Sequence, residues 1–205
     1  MTAEAERPKT ARDMRVLLIG APGAGKGTQA VRIAEHFGLT HISSGDLLRK
    51  HIGDGTAIGR LAADYVRRGD LVPDAVVMDM LYKPVQAATE RGGYVLDGFP
   101  RTVEQAEAAY RVAGERGMAV QVAVHLDVPV EALVQRLLAR GRGADDTREV
   151  IEHRLAVYGE RTLPMLDYYG QRERLVHVNG ARPASEVSWS IMVQLQRMKF
   201  PAKAP

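Results

Sequence analysis

A glycine-rich stretch near the amino end has the residue types of a phosphate-binding loop. Residues 20–28 read Gly-Ala-Pro-Gly-Ala-Gly-Lys-Gly-Thr and follow the apolar run 16–19. Glycines let the backbone turn tightly and point successive N–H groups at anionic oxygens. Lys26 adds a full positive charge, and the helix predicted to begin near Gly25 adds its positive end. These features favour a phosphate cradle over a glycine-rich turn that binds nothing.

The position of Thr28 indicates which kind of phosphate-binding loop the sequence contains. The common pattern places Ser or Thr directly after the lysine, whereas Gly27 intervenes here and the hydroxyl comes one residue later. A subset of phosphate-binding loops carries Gly-Lys-Gly-Thr. Thr28 is therefore predicted to reach a magnesium ion that accompanies the phosphates.

A polar segment follows the second predicted strand. Residues 43–49 read Ser-Ser-Gly-Asp-Leu-Leu-Arg, and Ser44 or Asp46 is predicted to cap the next helix. Arg49 then lies about one turn inside that helix. This places its guanidinium near the edge of the sheet where such folds bind ligands.

A second polar segment follows the third predicted strand. Asp97 ends that strand, which is the usual place for a magnesium-organising carboxylate beside a phosphate loop. Arg101 leaves a turn restricted by Gly98 and Pro100, so its guanidinium is predicted to meet a phosphate. Gln105 lies one helical turn further on, where its amide could hydrogen-bond the edge of a base.

Four arginines surround a short polar loop at 140–146: Arg136, Arg140, Arg142 and Arg154. Arg136 and Arg140 are four residues apart on one predicted helix, where like charges repel. A transferring phosphoryl group is an anion that suits such a cluster. The alternative is a solvated basic face neutralised by nearby carboxylates.

The elements that must position these residues alternate along the chain. Short apolar runs at 14–19, 41–42, 94–96, 119–126 and 175–178 are predicted strands. Longer amphipathic segments between them are predicted helices, at 25–37, 46–53, 57–69, 74–89, 103–116, 129–139, 147–169 and 184–198. This alternation indicates a parallel α/β sheet. In the segment 147–169 the residues Ile151, Leu155, Tyr158, Leu166 and Tyr169 are predicted to form one core stripe.

The amino-acid composition limits the classes of protein to which this chain can belong. The 205 residues are 45% hydrophobic, which suits one α/β domain, and the absence of cysteine excludes disulfides and cysteine-ligated metals. The net charge is +3 but only 5% of residues are aromatic, which disfavours nucleic-acid binding. Residues 1–13 are not a signal peptide, and no apolar run is long enough for a bilayer. A cytoplasmic protein is expected, with disorder at 1–13 and 200–205.

The chain resembles the adenylate kinases, within the nucleoside monophosphate kinases. The matching segments are 20–28, 43–49, 69–74 (Gly-Asp-Leu-Val-Pro-Asp), 97–102 with Gln105, and the arginine-rich 136–154. Together they span nearly everything from residue 14 to about 198. The resemblance implies a P-loop NTPase fold over 14–199, with a five-stranded parallel sheet flanked by helices. It further implies a small monophosphate-binding insertion at 43–73 and a short lid at 136–154.

The resemblance also implies roles for individual residues. ATP would contact Gly23, Ala24, Gly25, Lys26, Gly27, Thr28, Arg136 and Arg182. AMP would contact Ser44, Arg49, Val72, Gly98, Arg101, Gln105, Arg142 and Arg154. Magnesium would be organised by Thr28 and Asp97. The catalytic side chains would be Lys26, Arg101, Arg136, Arg140 and Arg154. The implied activity is a monomeric, magnesium-dependent kinase that converts ATP and AMP to two ADP, with no nucleic-acid or membrane partner.

Two departures from the family pattern leave alternatives open. Ser44 replaces the more usual threonine, and two residues rather than one separate Arg142 from Asp145 in the lid. A UMP/CMP kinase of the same fold is one alternative, and Gln105 argues against it. A catalytically silent nucleotide-binding module is another, and the retained Lys26 and Asp97 argue against that. An RNA-binding protein is disfavoured by the sparse aromatic residues.

Overall fold

The computed structural model describes residues 13–141, 147–172, 174–198 and 200. Within these residues the fold is α/β, and parallel strands form one sheet in the order β2-β3-β1-β4-β5. The strands are β1 (Met14–Ile19), β2 (Thr40–Ser43), β3 (Gly93–Asp97), β4 (Val122–Asp127) and β5 (Leu175–Asn179). The predicted five-stranded parallel sheet is confirmed.

Helices cover both faces of this sheet. They are α1 (Lys26–Phe37), α2 (Ser44–Gly53), α3 (Ala57–Arg68), α4 (Asp74–Glu90), α5 (Val103–Gly114), α6 (Val130–Arg140), α7 (Arg148–Val157), α8 (Met165–Gly170) and α9 (Ala184–Arg197). Among the helices described, none is both long enough and apolar enough to cross a membrane.

The burial of the central strand β1 on both faces explains its apolar run at 16–19. Val16 and Leu18 pack into a core with helices α1 and α9, whereas Leu17 and Ile19 pack into a second core with α4 and α8. Successive side chains of a strand point to opposite faces, so a strand covered on both faces is apolar at every position. The parallel strands therefore end together, and the loops after β1, β2 and β3 meet at one edge of the sheet.

The single helix predicted over 147–169 is wrong. Helix α7 passes into a π-helical turn (Tyr158–Thr162), and α8 begins only after Pro164. Proline has no N–H to continue the hydrogen-bond ladder, and Leu163 N donates to Tyr158 O at 3.0 Å across the wider turn. The predicted core stripe is split as a result. Tyr158 packs against the α1/α9 core and Tyr169 against the other.

Some expectations concern parts of the chain that are not described. Of the disorder expected at 1–13 and 200–205, residues 1–12 and 201–205 lie outside the described residues. The same holds for Arg142 and the rest of the loop tip at 142–146. Asp13 and Phe200 are described: Asp13 pairs with Arg15 at 2.6 Å, and Phe200 packs against the α1/α9 core.

Candidate functional site

The glycine-rich loop after β1 wraps around the side chain of its own lysine. Gly23 and Gly25 have positive φ angles of 85° and 94°, a region that favours glycine. The Lys26 ammonium donates to the carbonyl oxygens of Gly20 at 2.8 Å and Ala21 at 3.1 Å. Gly25 precedes α1 without a side-chain cap. The first N–H groups of α1 are thus left to an anion, as a phosphate cradle requires.

Other charged groups converge on Lys26. Burial lowers the pKa of the Lys26 ammonium to about 8, Asp97 acts against this, and the positive charges of Arg101, Arg154 and Arg140 lower it further. Among the described residues, six lysine and arginine side chains line this cleft with only two carboxylates, Asp46 and Asp97. Such a field stabilises a polyanion that brings several negative charges to it.

This lowered pKa predicts that phosphate binding by the cleft weakens at alkaline pH. Above pH 8 unliganded Lys26 loses its proton, so the affinity of the protein for inorganic tripolyphosphate should fall as pH rises through about 8. Calorimetric titrations from pH 6 to 10 measure this affinity. In Lys26→Arg, whose guanidinium stays charged, the fall near pH 8 should be absent. An identical fall in both proteins would contradict the assignment.

Two adjoining cavities open at this edge of the sheet. The larger cleft, of about 540 Å³, is lined by the glycine-rich loop with Lys26 and Thr28, by Asp97, and by arginines of α6 and α7. The smaller pocket, of about 70 Å³, is lined by α2, by the segment 69–72 and by the turn after β3. Arg49, Arg101 and Arg154 line both. The junction of the two cavities is therefore a place for shared anionic groups.

Ser44 supplies a buried hydroxyl to the smaller pocket. Its side chain is 1% exposed, and Ser44 Oγ has no hydrogen-bond partner among the described residues. A buried polar atom without a partner costs stability unless a ligand or water satisfies it. Gly98 allows the close approach, because a Cβ there would lie 2.5 Å from Ser44 Oγ.

The predicted helix cap at Ser44 or Asp46 is wrong. Ser43 caps α2, and its side chain accepts from Asp46 N at 3.2 Å. Ser43 has the extended backbone that a cap residue needs, whereas Ser44 is already helical. The hydroxyl of Ser44 is thereby released from capping and lines the pocket.

Arg101 is held in place from several directions. Its Nε donates to Gly98 O at 2.6 Å, and its carbonyl accepts from Thr162 Oγ1 at 2.7 Å. Its backbone N–H donates to Gln105 Oε1 at 2.7 Å. Burial lowers the pKa of the guanidinium, while the nearby Asp97 carboxylate opposes that shift. The guanidinium is thus fixed before any ligand arrives.

Asp97 and Thr28 offer oxygen donors beside Lys26. A Cβ built on Gly27 would lie 3.7 Å from Asp97 Oδ2, so this carboxylate stands against the glycine-rich loop. Among the described residues no cluster of His, Asp and Glu is able to hold a metal by itself. One carboxylate and one hydroxyl fit a magnesium ion that takes its other ligands from water and nucleotide phosphates.

The remaining predicted residues occupy different positions. Val72 lines the smaller pocket, and Gly23, Gly25, Arg136 and Arg140 line the larger cleft. Arg136 donates to Gly180 O at 3.1 Å from both Nη atoms, so the protein itself offsets the repulsion expected for this arginine. Ala24 is buried in the core next to the loop. Arg182 is exposed and is not among the described residues that line the cleft.

Sequence reasoning missed several groups at this site. Tyr158 and Thr162 line the larger cleft from the π-helical turn, which the prediction of one continuous helix concealed. His153 Nε2 of α7 lies 2.7 Å from Asp70 Oδ1, and hydrogen bonds from His153 and from Arg68 lower the pKa of the Asp70 carboxyl. These contacts join segments that are far apart in sequence, and no local pattern signals them.

Known adenylate kinases are similar to this chain over most of its length. The adenylate kinase family model matches residues 18–174. An adenylate kinase of Phocaeicola vulgatus is 40% identical over 188 residues, covering 90% of this chain and 100% of the relative. One of Mycobacteroides abscessus is 50% identical over 156 residues, covering 76% and 86%. Adenylate kinase 1 of a Nostoc species is 42% identical over 181 residues, covering 88% and 98%.

Proposed function

The chain belongs to the adenylate kinase family, and we propose from that premise how its site transfers a phosphoryl group. The reaction is the reversible transfer from ATP to AMP that gives two ADP. A UMP/CMP kinase and a catalytically silent module are not favoured, because the relatives compared above are all named adenylate kinase.

The two cavities take the two nucleotides. The larger cleft takes ATP, with its phosphates on the loop 20–28 and on Lys26. The smaller pocket takes AMP, with its base against Ser44, Val72 and Gln105. The observation that carries this assignment is the junction, where Arg49, Arg101 and Arg154 line both cavities. A phosphoryl group in transit between two phosphates lies at such a junction.

Catalysis at this junction requires no protein nucleophile. The attacking group is the phosphate of AMP, which is already an anion. The arginines and Lys26 stabilise charge that spreads over the equatorial oxygens of the transferred group. Closure of the lid 136–154 over the insertion 43–73 aligns the phosphates and excludes water. Arg136, Arg140 and Arg142 contribute from the lid, and Arg182 contacts the ATP side.

Magnesium is the proposed metal cofactor. Thr28 and Asp97 would hold it beside the ATP phosphates. When bound, the ion supplies charge neutralisation and orients the phosphates. We further propose that the protein works as a cytoplasmic monomer with nucleotides as its partners.

An assay of ADP formation with different acceptors tests the function. ATP is supplied with AMP, UMP, CMP or GMP, and kcat/KM is measured for each. AMP should give the highest value. A clear preference for UMP or CMP would contradict the adenylate kinase assignment, and the absence of turnover with every acceptor would favour the silent module.

Substitutions at Arg101 and Gln105 should have different signatures. Arg101→Ala should lower kcat/KM about 10- to 100-fold for every monophosphate acceptor, because an ionic hydrogen bond to phosphate is lost. Gln105→Ala should lower it more for AMP than for UMP, since the amide meets the base. Steady-state kinetics with both acceptors provides the measurement.

The matched control is Arg111→Ala on the exposed side of α5. It should leave both acceptors unaffected. An unchanged AMP/UMP preference in Gln105→Ala would remove Gln105 from base recognition and revive the pyrimidine kinase alternative.

A further inference from the structure

The side-chain amide of Gln105 is held at both of its polar atoms. Its Oε1 accepts from the backbone N–H of Arg101 at 2.7 Å, and its Nε2 donates to Asp74 Oδ1 at 2.7 Å. Gln105 is 2% exposed and lines the smaller pocket. Asp74 is the first residue of α4 and is exposed, 31 residues away in sequence.

The chemistry of these two partners selects one orientation of the amide. A backbone N–H can only donate a hydrogen bond, and a carboxylate can only accept one. If the amide turned over, its oxygen would face the carboxylate and its NH2 group would face the N–H. Both contacts would then be repulsive, in a setting where buried polar groups need partners. Asp74 and Arg101 therefore enforce the same orientation independently.

An amide held in one orientation offers its remaining donor and its remaining acceptor to a base in a fixed order. Nε2 keeps a second N–H and Oε1 keeps a second lone pair. Adenine and cytosine offer a ring-nitrogen acceptor beside an amino donor, and both match one order. Guanine and uracil offer a ring N–H donor beside a carbonyl acceptor, and both match the reverse order. An amide free to turn over would accept either kind of base.

We propose that Asp74 is a positioning residue that sets base specificity by locking the amide of Gln105 against inversion. The inference rests on the proposed function, in which Gln105 meets the base of the acceptor. Asp74 acts through Gln105 and selects amino-bearing bases over keto-bearing ones. The carboxylate provides this selection because, unlike an amide or a hydroxyl, it is unable to donate.

Asp74→Asn tests this role with almost no change in size. The asparagine amide can accept from Gln105 or donate to it, so the substitution removes one of the two locks and keeps the Arg101 N–H. We expect the AMP/GMP ratio of kcat/KM to fall about fivefold, the effect of one hydrogen bond. The CMP/UMP ratio should fall in the same direction. Asp79→Asn, also exposed on α4, should leave both ratios unchanged.

The possible outcomes of this experiment separate a failure of the Asp74 inference from a failure of the proposed function. A parallel loss with all four acceptors would assign Asp74 a purely structural role and overturn the inference. Unchanged ratios in Asp74→Asn, with a wild-type preference for AMP, would overturn the inference and leave the proposed function standing. A wild-type protein with no preference for AMP over GMP would overturn both. Asp74→Ser, whose hydroxyl is able to donate as well as accept, replaces the asparagine variant if that variant does not fold, and the same fall is expected.

Discussion

Lys26→Met is expected to lower kcat roughly 10²- to 10³-fold, the effect of losing one group that stabilises transition-state charge. Lys26 lines the larger cleft together with Arg101, Arg140 and Arg154, and its ammonium is held by the carbonyl oxygens of Gly20 and Ala21. The variant loses the two hydrogen bonds from Lys26 Nζ to Gly20 O and Ala21 O, but it keeps the positive-φ glycines Gly23 and Gly25 that shape the loop. The folded variant should therefore still bind nucleotide while transferring phosphoryl groups slowly.

Measurement of kcat and of the thermal midpoint in parallel separates these effects. Lys83→Met on the exposed side of α4 is the matched control and should leave both quantities unchanged. Removal of the desolvated ammonium should leave the fold intact. Near-normal turnover by a folded Lys26→Met protein would show that Lys26 is not a catalytic residue.

A ligand with two adenosines joined by five phosphates should stabilise the protein far more than AMP alone. It fills both cavities and brings its phosphates to Arg49, Arg101 and Arg154 at the junction. A ligand at a thousandfold excess over its Kd adds about 4 kcal/mol to the free energy of unfolding, which corresponds to roughly 10 °C in Tm for a domain of this size. AMP fills only the smaller pocket and should give a smaller shift.

The contribution of the proposed lid to binding of the five-phosphate ligand is measured with Arg140→Ala. Arg140 lines the larger cleft at the carboxyl end of α6, so its loss should reduce the Tm shift produced by the five-phosphate ligand. Arg148→Ala is the control, because Arg148 is an exposed arginine of α7 paired with Glu152 at 3.5 Å. Its shift should equal that of the wild type. Equal Tm shifts in the wild type, Arg140→Ala and Arg148→Ala would contradict the proposed lid role. The alternative of a solvated basic surface would then be favoured.

The sequence by itself determined the fold class and most of the charged residues that line the two cavities. The loop 20–28 and the turn 97–101 are local features, because an anion-binding backbone is built from neighbouring N–H groups and glycines. The buried strands were visible in the sequence as short, mostly apolar runs, because a strand that is covered on both faces places apolar side chains on both. These signals depend on adjacent residues and are therefore visible without any tertiary information.

Only the tertiary structure decided how those residues are held. Thr162 reaches the Arg101 carbonyl across 61 residues, and His153 reaches Asp70 across 83. The π-helical turn that presents Thr162 arises where Pro164 interrupts a helical pattern. The Nε2 end of the Gln105 amide is held only because α4 brings Asp74 beside it. Packing of separate elements creates such hydrogen-bond pairs. Residue types and spacing therefore identified the groups that line the cavities, while tertiary contacts decided how those groups are oriented.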